Sequence, residues 1–161
     1  MKKINFLIKL AKEGKLQTVE PSDEIKKAYI QRSEESLSSA KALFSINNLK
    51  DAVALSYYSM YHSLLAALFR VGIKCENHAA AIILLKVVFE KDASKISRAK
   101  SERVDKQYYV DFSVTGEEAK DSIKIAEEFI TEMNEFLAKL TEKRIREYHE
   151  LAIFLFKEVK P

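Results

Sequence analysis

Only five of the 161 residues are glycine or proline, three Gly and two Pro, and that scarcity constrains the chain more than any other feature. Sheet-rich folds turn sharply many times and draw on these residues to do so. A chain with so few turning points is written for long helices. One uninterrupted stretch, Glu117 to Lys160, would span about 66 Å as one helix at about 1.5 Å per residue. Such a helix either breaks near Lys139–Lys143 or projects beyond the rest. With 47% apolar and 32% charged residues, the chain is neither disordered nor collagen-like, and its length suits one domain.

Periodicity fills in the helices. Ile25, Ala28, Tyr29, Ser36, Leu37, Ala40, Leu43 and Phe44 recur at spacings of three and four over 23–46, with charged residues between them. Pro21-Ser22 followed by Asp23 and Glu24 marks the start, where the helix dipole favours acids. Asn47-Asn48 ends the helix, and so short a connection implies an antiparallel neighbour over about 50–71. That neighbour is apolar almost all round, as a central helix should be, and Gly72 suits its C-terminal cap. A short loop, 73–76, leads to Asn77 as N-cap of a third helix reaching about Glu90. Part of 97–109 reads as helix, and 110–114 alternates apolar and polar like an extended connector. Thr115-Gly-Glu-Glu118 then spells a capping box opening a helix with a core stripe from Ile123 to Leu140. Residues 1–21 read as a basic amphipathic segment, 22–140 as the helical bundle, and 141–161 as a helical extension whose apolar side needs a partner in cis or on a second subunit.

The net charge of +3 falls short of what non-specific nucleic-acid binding normally requires. Its distribution is uneven: 1–16 carries five lysines against one glutamate, 91–106 six basic residues against three acidic, and 117–150 ten acidic against six basic. Cys75 is alone, so neither an internal disulfide nor a cysteine zinc site is expected. The apolar run Ile4–Ile8 is too short for a signal-peptide core, which makes the cytoplasm the expected compartment. From Ala52 to Phe69 no residue is charged, the lower edge of a membrane span. Serines, tyrosines and His62 occupy its middle, however, so a buried bundle helix is expected and no membrane partner.

The chain contains no Gly-rich phosphate loop, HExxH, CxxC or GxSxG, and His62, His78 and His149 fall on three different expected helices. No metal or other cofactor is expected. The cluster Ser56-Tyr57-Tyr58-Ser59-Met60-Tyr61-His62 is unusual for a central helix. Tyr57 and Tyr61 share one face and Tyr58 and His62 the next. The simpler interpretation is hydroxyl-bearing core residues bonded to neighbouring helices; the alternative is a pocket for a base or phosphate. Likewise Arg98, Lys100, Arg103 and Lys106, with Tyr108 beside them, form either a solvated face or an RNA-backbone contact.

These pieces resemble the HEPN domain family (higher eukaryotes and prokaryotes nucleotide-binding), in its branch of small stand-alone prokaryotic proteins. The resemblance rests on Asp51-Ala-Val-Ala-Leu-Ser-Tyr-Tyr-Ser-Met-Tyr-His62, then Ala66-Ala-Leu-Phe69, Gly72, Asn77-His78, and Arg103 with Tyr108. It covers about 22–140. It implies an all-α, up-and-down bundle of four to five helices with a long C-terminal helix or extension, assembled as a homodimer. It also implies a frequent partner, a minimal nucleotidyltransferase, in a toxin–antitoxin or stress-response pair. Active members resembled here are metal-independent endoribonucleases with an Arg-x(4–6)-His motif, in which His moves protons and Arg stabilises phosphate charge.

In this chain Arg103 with four residues between reaches Tyr108 instead of histidine. A tyrosine of ordinary pKa, about 10, is a poor base at neutral pH. His78 substitutes only if the fold brings it beside Arg103. Three functions therefore stand open. One is a nucleotide- or RNA-binding or interaction subunit contacting its ligand through Tyr57, Tyr58, Tyr61, His62, Arg98, Lys100 and Lys106. Another is an endoribonuclease toxin using Arg103 with Tyr108 or His78. The last is a structural helical dimer without a ligand.

Overall fold

The computed structural model describes residues 1–108 and 113–157, with the backbone alone for 105–108. The expected connector at 110–112 and the side chains of Lys106 and Tyr108 thus lie outside the described residues. In chain order the elements are α1 (Lys2–Lys12), β1 (Leu16–Thr18), α2 (Asp23–Ser45), α3 (Leu49–Arg70), β2 (Ile73–Cys75), α4 (His78–Val87), α5 (Ser94–Tyr108), α6 (Gly116–Ala138) and α7 (Glu142–Lys157). The class is all-α, as the scarcity of turning residues requires.

α3 is the axis of the bundle, with α2, α5 and α6 packed around it and α4 in contact with it. Ala52, Tyr57, Met60, Leu64, Ala66, Ala67 and Leu68 on α3 are fully enclosed. Its most apolar window is 78% buried inside the protein, so its hydrophobicity is explained by the core it forms. α2 starts at Ser22, whose Oγ accepts from Ile25 N–H at 3.0 Å. It turns into α3 through Asn47 in the left-handed region (φ 62°), a conformation asparagine tolerates. Small residues let the two helices approach closely: Ala40 and Ala52 are enclosed, and Ser33 Oγ donates to the Ser59 carbonyl at 2.7 Å.

One feature differs from the sequence expectation. Residues 73–75 are a strand, not part of a loop, pairing antiparallel with β1 in the register Leu16↔Cys75, Gln17↔Lys74 and Thr18↔Ile73. This small sheet ties α1 to the end of α3. The C-terminal stretch breaks after Ala138, in the Lys139–Lys143 region that the sequence offered as one of two alternatives, and Thr141 Oγ1 accepts from Arg144 N–H at 3.2 Å to restart the chain as α7. α7 packs within the same chain, burying Ile145, Tyr148 and Ala152 and lying against α1, whose Leu7 and Leu10 are also buried. His149 Nδ1 lies 3.0 Å from the Val71 carbonyl and donates to it, fastening α7 to the turn at Gly72.

Candidate functional site

The tyrosine cluster lies midway along α3, opposite the N-terminus of α4 and the middle of α5. At about 100° per residue, Tyr57 and Tyr61 fall on one side of α3 and Tyr58 and His62 on the adjacent side. Tyr57 and Tyr61 point inward, 0% and 7% exposed, while Tyr58 and His62 are half-buried. Tyr57 and Tyr61 therefore form the floor of the site, and Tyr58 and His62 its surface.

His78 is gripped by that floor. Asn77 caps α4, its Oδ1 accepting from Ala80 N–H at 2.9 Å, which places His78 in the first turn. Its ring stacks on Tyr61 with centroids 3.8 Å apart and planes 15° from parallel. Its Nδ1 lies 2.8 Å from the Tyr57 hydroxyl, and Tyr58 meets it edge-on at 6.2 Å. Burial, then Arg103 and Lys100, hold His78 below its ordinary pKa of 6.5, so the imidazole is neutral at pH 7. Burial pushes the Tyr57 and Tyr61 hydroxyls up, with Arg103 opposing the effect at Tyr57. Both stay protonated. A hydroxyl both donates and accepts, so Tyr57 supports either tautomer of neutral His78, whereas a carboxylate would fix one.

α5 brings Arg103 to the same place. Its guanidinium carbon lies 5.4 Å from the ring centroids of both Tyr57 and Tyr58, and one terminal nitrogen donates to the Tyr58 hydroxyl at 3.1 Å. The fold thus puts Arg103 and His78 on the same two tyrosines. Lys100, one helical turn earlier, adds positive charge near His78. Arg98 does not join them. Five residues turn it about 140° from Arg103, where its Nε pairs with Glu102 at 3.1 Å. There it borders a cavity of about 280 Å³ lined also by Val53, Ser122, Ile125 and the back of Tyr57.

On the other side of Tyr58, His62 connects the cluster to α2. Its Nδ1 lies 3.3 Å from Ser36 Oγ, and its ring is 6.1 Å from that of Tyr29. Burial, then Arg32 and His78, lower it to about 4. Tyr29 in turn stacks on Phe69 at 5.3 Å and 8°. Sequence periodicity placed Tyr29 and Ser36 on the core face of α2 and left Arg32 to solvent. Only the i, i+3 spacing of Tyr29 and Arg32 hinted that they belong together. Among the described residues, no three His, Cys, Asp or Glu side chains gather as a metal site would need.

The arrangement offers two half-buried aromatic rings, a neutral imidazole with one nitrogen held, and a guanidinium fixed over tyrosine faces. Together these suit a ligand combining a phosphate with a flat ring. The sequence profile of the HEPN domain matches residues 26–136, which include Tyr29, Tyr58, His62, His78 and Arg103. A protein of Methanocaldococcus jannaschii, named "Putative toxin MJ0605", is 31% identical over 120 residues, covering 70% of this chain and 89% of that protein.

Proposed function

The chain belongs to the HEPN domain family, and on that premise we propose that it is the toxin-type subunit of a nucleotidyltransferase-linked toxin–antitoxin or stress-response module. In this reading residues 22–140 bind RNA or a nucleotide at the Arg103–Tyr58–His78 cluster, and the protein acts in the cytoplasm as a homodimer. The name of the archaeal relative supports the toxin class. The observation that carries the binding role is Arg103 lying over Tyr57 and Tyr58, hydrogen-bonded to the Tyr58 hydroxyl beside a neutral His78. A guanidinium presents a planar fork of donors to phosphate and remains charged at any physiological pH. The half-exposed faces of Tyr58 and His78 suit a base or ribose beside it.

The test is to isolate the protein from its native host and analyse what comes with it. The expected companions are a minimal nucleotidyltransferase and bound RNA or nucleotide, with the nucleic acid or nucleotide lost from Arg103→Ala. Purification with neither companion contradicts the proposal.

A second reading is favoured by the closeness of His78 to Arg103: metal-independent RNA cleavage. His78, with Tyr57 tolerating either tautomer, would move the ribose 2′-proton, and Arg103 would stabilise charge on the phosphate. Tyr108, the other candidate for the proton-transfer role, has its side chain outside the described residues. Purified protein should then cleave structured RNA in EDTA, and Arg103→Ala and His78→Ala should each abolish cleavage. Intact RNA after incubation with the unaltered protein leaves the binding role alone.

A further inference from the structure

The aromatic surface does not end at His62. Tyr58 lies 6.3 Å from His62, His62 lies 6.1 Å from Tyr29, and Tyr29 stacks on Phe69 at 5.3 Å. All four rings are half-buried, so each keeps an edge or face toward solvent. Two cations flank this strip, Arg103 beside Tyr58 and the exposed Arg32 at 6.0 Å from the Tyr29 ring and near His62. From Tyr58 to Phe69 the strip follows α3 for about 16 Å, enough for roughly four or five stacked nucleotides at about 3.4 Å each.

We propose that this strip is an extended subsite for single-stranded RNA, which leaves the Arg103–His78 cluster along α3 and stacks its bases over Tyr58, His62, Tyr29 and Phe69, passing Arg32 beside Tyr29. The inference rests on the binding role proposed above and adds the strand's path and its single-stranded character. Two arguments select this occupant. Cations flanking a row of neutral rings match a polyanion carrying flat, unpaired bases. A duplex hides those base faces and gains nothing from the rings.

The test measures fluorescence anisotropy of a labelled single-stranded dodecanucleotide RNA, in EDTA, with the unaltered protein, Tyr29→Leu, Arg32→Gln and Arg103→Ala. The same strand annealed to its complement is measured in parallel. The leucine keeps apolar bulk against Phe69, and Arg32 is a surface residue, so neither change threatens the fold. Each is expected to weaken single-strand binding about fivefold or more, with the duplex bound more weakly than the single strand by every protein. If Tyr29→Leu and Arg32→Gln bind like the unaltered protein while Arg103→Ala does not, the path is wrong and the binding site stands. If the unaltered protein binds no RNA, the RNA form of the proposed function falls together with the path. Sedimentation velocity on Tyr29→Leu gives the remaining contradiction: a change in oligomeric state would make the strip a contact between copies.

Discussion

The Tyr57 hydroxyl lies 2.8 Å from Nδ1 of His78 and joins the enclosed middle of α3 to the first turn of α4. A buried phenol needs a partner, and a half-buried imidazole nitrogen does too, so each satisfies the other. Tyr57→Phe keeps the ring and removes the bond. Urea unfolding should show a loss of about 1–2 kcal/mol without a change in slope. Nitrogen chemical shifts of His78 should show an altered tautomer balance. An unchanged midpoint and unchanged shifts would mean that the hydroxyl does not hold His78.

Stability should fall with acid in a window set by the buried histidines. His62 is lowered from 6.5 to about 4, and His78 is lowered as well. Between about pH 6.5 and pH 4 the unfolded chain therefore binds protons that the folded chain refuses. Stability rises with pH wherever the unfolded state holds more protons, so the histidine contribution drops as pH falls through that window and is fully lost below it. His62→Gln should remove up to about 2 kcal/mol of the drop, allowing for solvent screening of a half-buried group. The check is the difference between urea midpoints at pH 7.5 and pH 4.5 for the two proteins. Equal differences would contradict the burial of a neutral His62.

Gly72 occupies a position where only glycine fits. Its φ is +80°, and a Cβ there would lie 2.3 Å from the Val19 carbonyl oxygen and 2.5 Å from His149 Nδ1. Backbone on one side and the α7 anchor on the other leave no room. Gly72→Ala should cost more than about 2 kcal/mol, combining left-handed strain with displacement of β1 or α7. A melting temperature within a degree of the unaltered protein would show that this junction yields easily.

Asn77 connects the stability of α4 to the geometry of the site. Asn77→Ala removes the cap on Ala80 N–H and should cost about 1 kcal/mol. It should also loosen His78, one residue on, from its stack on Tyr61. Faster amide exchange over 78–82, measured against unchanged exchange in α6, would register both effects. Unaltered exchange in α4 would show that tertiary packing alone holds the helix start.

Local signals made much of the fold legible. Ser22, Asn77 and Thr115 each cap the helix that the sequence assigned to them, because capping depends on residues three apart. The α2–α3 hairpin followed from periodicity and the short Asn47-Asn48 link. The β1–β2 pair was not legible: each strand is three residues long, and its register is set by a partner far along the chain. The α6–α7 break lies where the excessive length of a single helix had offered one, near Lys139–Lys143, and its one local sign is Thr141 before Glu142. Within the site, the pairing of Tyr57 with Tyr61 and of Tyr58 with His62 came from helical spacing. The approach of His78 and Arg103 to them did not, since it depends on how α4 and α5 dock on α3. The strip from His62 to Tyr29 and Phe69 stayed hidden because Tyr29 reads as an ordinary core residue of an amphipathic helix.

The most direct test of the account is a nuclear magnetic resonance titration of isotope-labelled protein with single-stranded RNA in EDTA. The account predicts that the largest shifts fall on the Arg103 guanidinium, the His78 and His62 imidazoles and the backbone around Tyr58, with α7 and the β1–β2 pair unmoved. Shifts centred on α1 or α7, or none at a large molar excess of RNA, would contradict it.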